Sequence, residues 1–318
     1  MWHPQPQPLP ARGRGAQARR TLAKSNKRLV SGWLLLDKPY GMTSTQAVGK
    51  VRWLYGAEKA GHAGTLDPLA TGMLPIALGE ATKTVPFVQE GGKLYRFDLE
   101  WGSETSTDDA EGDVTATSDV RPGETDVAAM LPRFTGTIMQ RPPAFSAIKV
   151  NGERAYDLAR AGETVELAER PVTITALTLL KHGTERSSFE MACEKGTYVR
   201  SLARDLAQAL GTRGHVTALR RTRVGGFAEA DMLTLEAIEA ATDRDALLRP
   251  SAIALRHLPE LRLGPEDAAL LRNGNPVLLR GAGAPVELPA AWASLNGAVL
   301  AIGQVRAGHF HPSRVLRG

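Results

Sequence analysis

Residues 61–83 read GHAGTLDPLATGMLPIALGEATK, and the interpretation of the chain starts from this stretch. Glycines at its beginning allow backbone angles that other residues rarely adopt. Asp67 precedes a proline, which favours an extended backbone at the aspartate. The apolar run at residues 73–78 is typical of a short buried strand. The pattern therefore predicts a loop that presents one carboxylate, followed by a strand.

Two roles for Asp67 follow from its residue type alone. An aspartate followed by proline is a common helix start, because Asp caps free backbone N–H groups and Pro fits the first helical position. Asp67 could therefore cap a single helical turn over residues 67–71. It could also be a catalytic carboxylate, and residue chemistry alone leaves both roles open.

The composition limits the classes of protein to which the chain can belong. Its 318 residues suggest one large domain with a small one, or two medium ones. Hydrophobic residues make up 42% of the chain, which is enough for a substantial core. The net charge of +5 and the pI of about 9.4 point weakly to a polyanionic partner. No apolar run is long enough to span a bilayer, so we expect no membrane span.

The chain has a single cysteine, Cys193, which excludes an intramolecular disulfide. Cys193 alternates with Phe189 and Met191 along a predicted strand, and this favours a place in the core over a role as nucleophile. A single unpaired cysteine is compatible with a reducing compartment, and we expect a cytoplasmic protein.

Residues 1–30 form a basic segment with seven Lys or Arg and no Asp or Glu. Such a segment cannot bury enough apolar surface to fold, so we expect a disordered extension. It lacks the apolar core of a secretory signal. A tail that contacts RNA nonspecifically and an incorrectly assigned start codon are both compatible with the sequence.

Hydrophobic periodicity predicts strands and helices along the rest of the chain. In residues 94–101, aromatic and apolar side chains alternate with charged ones, as in a half-buried strand. Further strands are predicted at residues 32–37, 171–180, 188–194 and 215–227. Helices are predicted after Thr43 or Ser44, around residues 127–134, between 198 and 211, and near 233–241 and 265–272. Residues 103–113, SETSTDDAEGD, read as a solvated loop, which we call the acidic loop.

Three separated motifs resemble those of the TruB family of tRNA pseudouridine synthases. The longest is GH-x-G-x-LDPLATG-x-L followed by LGEATK, within residues 61–83. The other two are LLLDKPYGMTS, which precedes it, and GTYVRSL, which ends at Leu202. The resemblance covers about residues 32–314, nearly everything except the basic extension.

The resemblance implies an α/β (α+β) fold with a mixed, largely antiparallel sheet, flanking helices and a small C-terminal PUA-like β-barrel. It implies a catalytic domain at residues 31–241, a linker at 242–252 and an RNA-binding PUA-like domain at 253–318. An insertion at about residues 140–170 is implied to grip the T-stem-loop of tRNA. Within it, Asn151-Gly152 is typical of a hairpin turn, and a short helix is predicted at residues 154–160.

The activity that the resemblance implies is conversion of uridine at position 55 of the tRNA T-loop to pseudouridine. Asp67 would be the catalytic residue, either attacking the anomeric carbon or removing the neighbouring ribose proton to give a glycal. Arg200 would pair with Asp67, Tyr95 would stack under the uracil, and His62 would fill the space left by the flipped base. The remaining implied substrate-binding residues are Tyr198, Leu219 and Lys83.

Alternative functions also fit parts of the sequence. A non-catalytic RNA-binding or RNA-folding protein could share the scaffold, but binding alone needs no aspartate facing a polyanion. A hydrolase would need a second, separately tuned carboxylate, and the sequence shows no partner motif for Asp67. A guide-RNA-dependent relative is less consistent with the insertion. Because His309 and His311 lack a third ligand nearby, we predict no metal site. We expect no organic cofactor, and a monomer whose partner is tRNA.

Overall fold

The computed structural model describes residues 28–146, 148–150, 152–155 and 167–317. Most of the basic extension, Asn151 and most of the helix predicted at residues 154–160 lie outside the described residues. Within the described residues, no helix is both long enough and apolar enough to cross a membrane.

The strands are distributed over the whole described chain. Their bounds are β1 (Gly32–Lys38), β2 (Ala60–His62), β3 (Thr71–Leu78), β4 (Lys93–Trp101), β5 (Ser103–Thr105), β6 (Val114–Thr117), β7 (Gly136–Gln140), β8 (Lys149–Val150), β9 (Glu153–Arg154), β10 (Arg170–Lys181), β11 (Arg186–Cys193), β12 (Gly214–Val224), β13 (Phe227–Ala228), β14 (Leu233–Thr234), β15 (Glu260–Arg262), β16 (Val277–Leu278), β17 (Leu288–Leu295), β18 (Ala298–Arg306) and β19 (His309–Val315).

The helices are fewer and mostly short. The α-helices are α1 (Ser44–Tyr55), α2 (Val85–Gln89), α3 (Glu124–Met130), α4 (Val199–Ala209), α5 (Leu235–Ala240) and α6 (Pro265–Arg272). Short 3₁₀-helices occur at Gly79–Thr84, Leu131–Phe134, Glu229–Asp231, Asp245–Leu247 and Ser251–Leu255.

A large mixed sheet forms the body of the molecule, with the strand order β14-β1-β3-β12-β4-β11-β10-β7. In addition, β2 pairs with β3 and β13 pairs with β12. Only the β1–β14 and β3–β12 pairs are parallel; the other pairs of this sheet are antiparallel. The predicted mixed, largely antiparallel sheet is therefore confirmed.

Local sequence signals explain how the central elements form. In β4 the side chains of Tyr95, Phe97, Leu99 and Trp101 are buried on one face, as the alternation predicts. Helix α1 begins with a capping box in which Thr43 and Gln46 bond each other's backbone, and it ends at a left-handed glycine. These elements bury their apolar faces in one core between the sheet and helices α1 and α4.

The C-terminal strands form a second, smaller sheet with the order β15-β17-β18-β19-β16, curled into a half-barrel. Its core contains Phe310, Val305 and Leu271 of α6. A separate apolar cluster joins it to the large sheet, where Phe87 of α2 packs against buried residues such as Trp292 and Leu316. The predicted α/β class with an additional small β-domain is confirmed.

The prediction that the acidic loop is solvated is wrong for its centre, although Ser106, Glu111 and Asp113 are exposed. Asp108 and Asp109 are buried at 7% and 2% exposure. The loop is fastened to β12, because Val216 N donates to Asp108 O (3.1 Å) and Ala110 N donates to Val216 O (2.9 Å). Charged side chains from α4 complete this burial. The predicted hairpin in the insertion is consistent with β8 and β9, which pair antiparallel on either side of residues 151–152.

Candidate active site

Residues 63–70, which we call the Asp67 loop, connect β2 to β3 and end where β3 pairs briefly with β12. Strands β3 and β12 pair only at Thr71↔Arg220 and Gly72↔Arg221, directly after the loop. Gly72 has a φ of +96°, and a Cβ atom there would lie 2.3 Å from the Arg221 carbonyl oxygen. Only glycine permits this approach, so Gly72, the second residue of β3, allows the two strands to meet directly after the loop.

Buried polar groups fix the backbone of the Asp67 loop. Ser44 Oγ donates to Leu66 O (2.9 Å) and accepts from Leu66 N (2.8 Å). Lys38, which is fully buried, donates to the carbonyls of Pro39 (2.9 Å), Met42 (2.6 Å) and Pro68 (3.3 Å). Burial lowers the pKa of Lys38 to about 8, although the nearby Asp67 carboxylate opposes this shift.

Arg221 holds the other side of the same loop, and the sequence interpretation did not identify it. Its side chain is 1% exposed. Its guanidinium donates to three backbone carbonyls, those of Met73 (2.8 Å), Thr65 (3.2 Å) and Gly64 (2.9 Å). Its two-residue spacing from the buried Leu219 was the available signal, because alternate residues of a strand share a face.

Asp67 pairs with Arg200, as the resemblance implies. Arg200 Nε lies 2.9 Å from Asp67 Oδ2, and the Arg200 side chain is 4% exposed whereas that of Asp67 is 33% exposed. The Nε–H is not aligned with the carboxylate, so the contact is an ion pair rather than a hydrogen bond. The terminal nitrogens of Arg200 donate to Thr107 O (2.8 Å) and Phe145 O (2.9 Å). No helix begins at Asp67, so the helix-cap interpretation is not supported.

A second carboxylate, Asp109, shares Arg200 with Asp67, which corrects the expectation that Asp67 has no carboxylate partner. Its Oδ2 lies 3.5 Å from Arg200 Nε. Its Oδ1 accepts from Thr107 Oγ1 (2.6 Å) and from Glu111 N (3.0 Å). The two carboxylates thus lie against one buried guanidinium, an arrangement that the acidic composition of the loop did not reveal.

Tyr95 and His62 lie on the same side of the site as Arg221. Tyr95 is directly opposite Arg221 in the β4–β12 register. Burial raises the pKa of Tyr95, although Arg221 opposes the shift, so the phenol is neutral near pH 7. Burial and Arg221 lower the pKa of His62, which favours the neutral imidazole. The buried Nδ1 of His62 has no hydrogen-bond partner among the residues that the structure describes.

The other implied substrate-binding residues occupy different places. Tyr198 precedes α4, exchanges two hydrogen bonds with the Gln140 side chain (2.8 and 3.1 Å), and stacks under the Arg170 guanidinium at 5.4 Å. Leu219 is buried and lines a groove of about 370 Å³ beside Leu69. Lys83 contacts the C-terminal segment instead, because its Nζ lies 2.7 Å from both Glu80 Oε2 and Val315 O.

Two family models match consecutive parts of the chain. Residues 52–199 match the model described as "TruB family pseudouridylate synthase (N terminal domain)". Residues 200–258 match "tRNA pseudouridylate synthase B C-terminal domain". The second match begins at Arg200, so the ion pair with Asp67 joins the two matched regions.

Curated relatives cover nearly the whole chain. A "tRNA pseudouridine synthase B" from Chelativorans sp. (strain BNC1) is 57% identical over 304 residues, which is 92% of this chain and 97% of the relative. A protein of the same name from Mesorhizobium japonicum is 52% identical over 320 residues, which is 93% and 98% of the two chains.

Two solved structures share the architecture. "Crystal Structure of a Cbf5-Nop10-Gar1 Complex" contains a chain with a TM-score of 0.69 and 25% identity, covering 90% of this chain and 84% of that one. A chain in "Structure of H/ACA RNP bound to a substrate RNA containing 2'-deoxyuridine" has a TM-score of 0.70 and 23% identity, covering 90% of this chain and 85% of that one. At this identity the second likeness establishes the fold alone. The two family models and the curated relatives at 52–57% identity establish that the chain belongs to the TruB family of pseudouridine synthases.

Proposed function

We propose that this chain isomerises uridine to pseudouridine in tRNA, at position 55 of the T-loop, with Asp67 as the catalytic carboxylate. The observation that carries the proposal is the pairing of a partly exposed Asp67 with the buried Arg200 at 2.9 Å. The names of the relatives, tRNA pseudouridine synthase B at 52–57% identity, support tRNA as the substrate.

The chemistry requires a carboxylate at the ribose. Breaking the C–N glycosidic bond creates positive character on the sugar, and a carboxylate can capture or stabilise it. Asp67 would either attack the anomeric carbon or remove the neighbouring ribose proton to give a glycal. In both routes the detached uracil turns, and its C5 atom bonds to the ribose carbon.

The surrounding side chains are suited to orienting this carboxylate. Arg200 is fixed by two backbone carbonyls and lies against both Asp67 and Asp109. A guanidinium held at several points cannot follow the carboxylate as it moves, so it restricts Asp67 to a narrow range of positions. Lys38 and Arg221 restrict the loop backbone in the same way, through carbonyls on either side of Asp67.

Tyr95, Tyr198, Leu219 and His62 would bind the flipped nucleotide. The target base lies inside a folded loop of the RNA and has to leave it, which costs a few kcal/mol. Tyr95 would stack under the uracil near C5, where a proton finally leaves. The neutral imidazole of His62 would stack in the place that the base vacates.

The larger organisation is part of the same proposal. Residues 31–241 would form the catalytic domain, with the insertion at about 140–170 gripping the T-stem-loop, and residues 253–318 a PUA-like RNA-binding domain after the linker at 242–252. The net charge of +5 favours binding to the phosphate backbone. We further propose a monomer that acts in the cytoplasm without a cofactor.

The proposal is tested by mapping pseudouridine in an unmodified tRNA transcript after incubation with the purified protein. Asp67→Asn keeps the size of the side chain and removes its charge. We expect pseudouridine formation to fall at least about a thousandfold, while tRNA binding is retained or strengthened because a negative charge near RNA phosphates is gone. Asp119→Asn, at an exposed position, is the matched control.

A second variant distinguishes the enzyme from a non-catalytic RNA-binding protein on the same scaffold. Tyr95→Phe keeps the stacking ring and removes the hydroxyl, so it should bind tRNA normally and fail mainly at loss of the C5 proton. A wild-type protein that binds tRNA but forms no pseudouridine would favour the binding function. Wild-type turnover in Asp67→Asn would show that Asp67 is structural.

A further inference from the structure

Helix α4 carries a second arginine, Arg204, one turn beyond Arg200. Arg204 forms an ion pair with a different aspartate, Asp108. Arg204 Nη1 lies 2.8 Å from Asp108 Oδ2, and the two side chains are 15% and 10% exposed. Arg204 also donates from Nε to Asp205 Oδ1 (2.9 Å) and from Nη2 to Arg141 O (2.9 Å). The role proposed for Arg200 and Asp67 leaves this outer pair without a function.

The two arginines contact the same two segments of chain. One is the acidic loop, reached by Arg200 at Thr107 O and by Arg204 at Asp108. The other is the start of the insertion, residues 141–146, which we call the insertion root. Arg200 donates to Phe145 O, and Arg204 donates to Arg141 O. Ser201, between them, also donates to Arg141 O (2.8 Å).

Asp108 is held in a conformation that costs free energy. Its φ is +60°, in the left-handed region, which residues other than glycine adopt only rarely, Asp and Asn more readily than most. Its N–H donates to Thr105 O (3.1 Å) and its carbonyl accepts from Val216 N (3.1 Å), so both sides of the residue are fixed. The backbone thereby presents the carboxylate to Arg204 and places the following residue, Asp109, against Arg200.

We propose that Asp108 and Arg204 are a positioning pair, which fixes the acidic loop and the insertion root so that Arg200 and Asp109 hold Asp67 in its reactive position. This inference rests on the proposed function. It assigns the pair no contact with substrate. It also predicts that the pair acts on the rate of isomerisation rather than on tRNA affinity, because a small displacement of a catalytic group affects chemistry more than binding.

The burial and the neighbouring charges of Asp108 make its ion pair with Arg204 sensitive to pH. Burial raises the pKa of Asp108 to about 6, against the opposing effect of Arg204 and Arg200; the carboxylates of Glu104 and Asp205 add to the increase. A carboxyl whose folded pKa is raised stabilises the fold most fully at low pH, and this contribution is lost as the pH rises through 6. Acidification from pH 7.5 to 5 therefore breaks the ion pair without unfolding the protein through this group.

The experiment measures single-turnover pseudouridine formation at saturating tRNA between pH 5 and 8, together with tRNA affinity and thermal unfolding. Asp108→Asn tolerates the left-handed backbone and mimics the protonated acid. Arg204→Gln removes the positive charge of the ion pair with Asp108, and Arg204→Lys restores that charge. Arg186→Gln is the matched control, because Arg186 pairs with Glu100 at an exposed position and, among the described residues, bonds neither the acidic loop nor the insertion root.

At pH 7.5 we expect Asp108→Asn and Arg204→Gln each to lower the single-turnover rate about tenfold, with tRNA affinity within about threefold of wild type. Arg204→Lys should recover part of the loss, because it restores the ion pair with Asp108 but not the hydrogen bond to Arg141 O. The ratio of wild-type to Asp108→Asn rates should shrink to about twofold at pH 5, because most of the wild-type Asp108 is then protonated.

Two results would overturn the inference in an active wild-type protein. One is a wild-type rate in Asp108→Asn or Arg204→Gln at pH 7.5. The other is a tenfold deficit in Asp108→Asn that stays constant down to pH 5, which would indicate a structural defect independent of the charge. If Asp108→Asn does not fold, Arg204→Gln and Arg204→Lys decide alone. A wild-type protein that forms no pseudouridine would refute the proposed function instead.

Discussion

The site around Asp67 and the C-terminal sheet are stabilised in different ways. Around Asp67, the cationic side chains of Lys38, Arg200 and Arg221 are almost completely buried and donate to backbone carbonyls. In the described residues of strands β15–β19, Ser294 is the only buried polar side chain, and the rest of the core is apolar. Arginines of that sheet, such as Arg262, remain exposed.

This difference indicates which part of the molecule has to keep one geometry. Burying a cation costs several kcal/mol unless hydrogen bonds and opposite charges compensate it. An apolar core provides stability at lower cost and tolerates substitutions that conserve volume. Of the two regions compared, the described residues around Asp67 incur this cost, and there loops without regular structure have to be held in one position. Substitutions that conserve charge but alter hydrogen-bond geometry should therefore matter near Asp67 and be tolerated in the C-terminal sheet.

Among substitutions that conserve charge, the largest effect should come from Arg200→Lys. Arg200 reaches Asp67, Thr107 O and Phe145 O with three different nitrogens of its guanidinium. The single nitrogen of a lysine cannot occupy all three positions, so Asp67 loses its fixed position although the charge is retained. We expect the single-turnover rate at saturating tRNA to fall by about a hundredfold to a thousandfold. Arg186→Lys, on the exposed face of the sheet, should leave the rate unchanged. A loss below tenfold in Arg200→Lys would mean that charge alone suffices.

Arg221→Lys tests the same idea through stability. The variant leaves at least one of the carbonyls of Met73, Thr65 and Gly64 unsatisfied in a buried place, so the free energy of unfolding should fall by about 2–4 kcal/mol. Urea unfolding measures this value. The matched substitution in the other region is Arg314→Lys, at an exposed side chain of β19, which should cost less than about 1 kcal/mol. Equal losses in the two variants would contradict the comparison between the regions.

Elements with local signals could be predicted from the sequence. The strand at β4 follows from alternation, and the helix predicted near residues 265–272 coincides with Pro265–Arg272. Thr43 caps α1 as one of the two residues expected. In each case the residues that specify the element lie within a few positions of it, so no knowledge of the rest of the fold is needed.

The buried charges could not be predicted in this way. Composition places charged residues on the surface, and only a tertiary partner reverses that expectation. Asp109 is buried because α4, far along the chain, brings Arg200 to it. Arg221 is buried because its acceptors lie in the Asp67 loop. The pairing of Asp67 with Arg200 was available only through the resemblance, since nothing in their spacing indicates contact.

A smaller effect is expected for Lys38→Met as a function of pH. The pKa of Lys38 is lowered to about 8 in the folded protein, so its contribution to stability is present at high pH and is lost as the pH falls through 8. Between pH 7.5 and 9.5, wild type should gain about 1–2 kcal/mol of unfolding free energy relative to the variant. Urea unfolding at the two pH values measures the difference, and Lys59→Met, at an exposed lysine, is the control. A difference that stays constant with pH would mean that Lys38 keeps its charge in the fold.

The smallest effect should be that of Lys83→Met, at the boundary between the two regions. Its Nζ lies 2.7 Å from Glu80 Oε2 and from Val315 O, and its carbonyl accepts from Arg314 Nη1 (2.9 Å). The variant removes only the two Nζ contacts, because the carbonyl belongs to the backbone. The side chain is 35% exposed, so this loss should lower the free energy of unfolding by less than about 1 kcal/mol.

Lys83 has two alternative roles, contact with the RNA and stabilisation of the junction between the two sheets. Affinity for tRNA distinguishes them. Because its ammonium is already occupied by Glu80 and Val315, we expect the affinity of Lys83→Met to stay within about twofold of wild type. Glu80→Gln is the matched control, since it weakens the same junction from the other side without removing a positive charge. A tRNA affinity that falls in Lys83→Met but not in Glu80→Gln would show that Lys83 contacts the RNA, as the resemblance implies. Equal, small losses of stability in both variants, with affinity unchanged, would assign Lys83 to the junction between the two sheets.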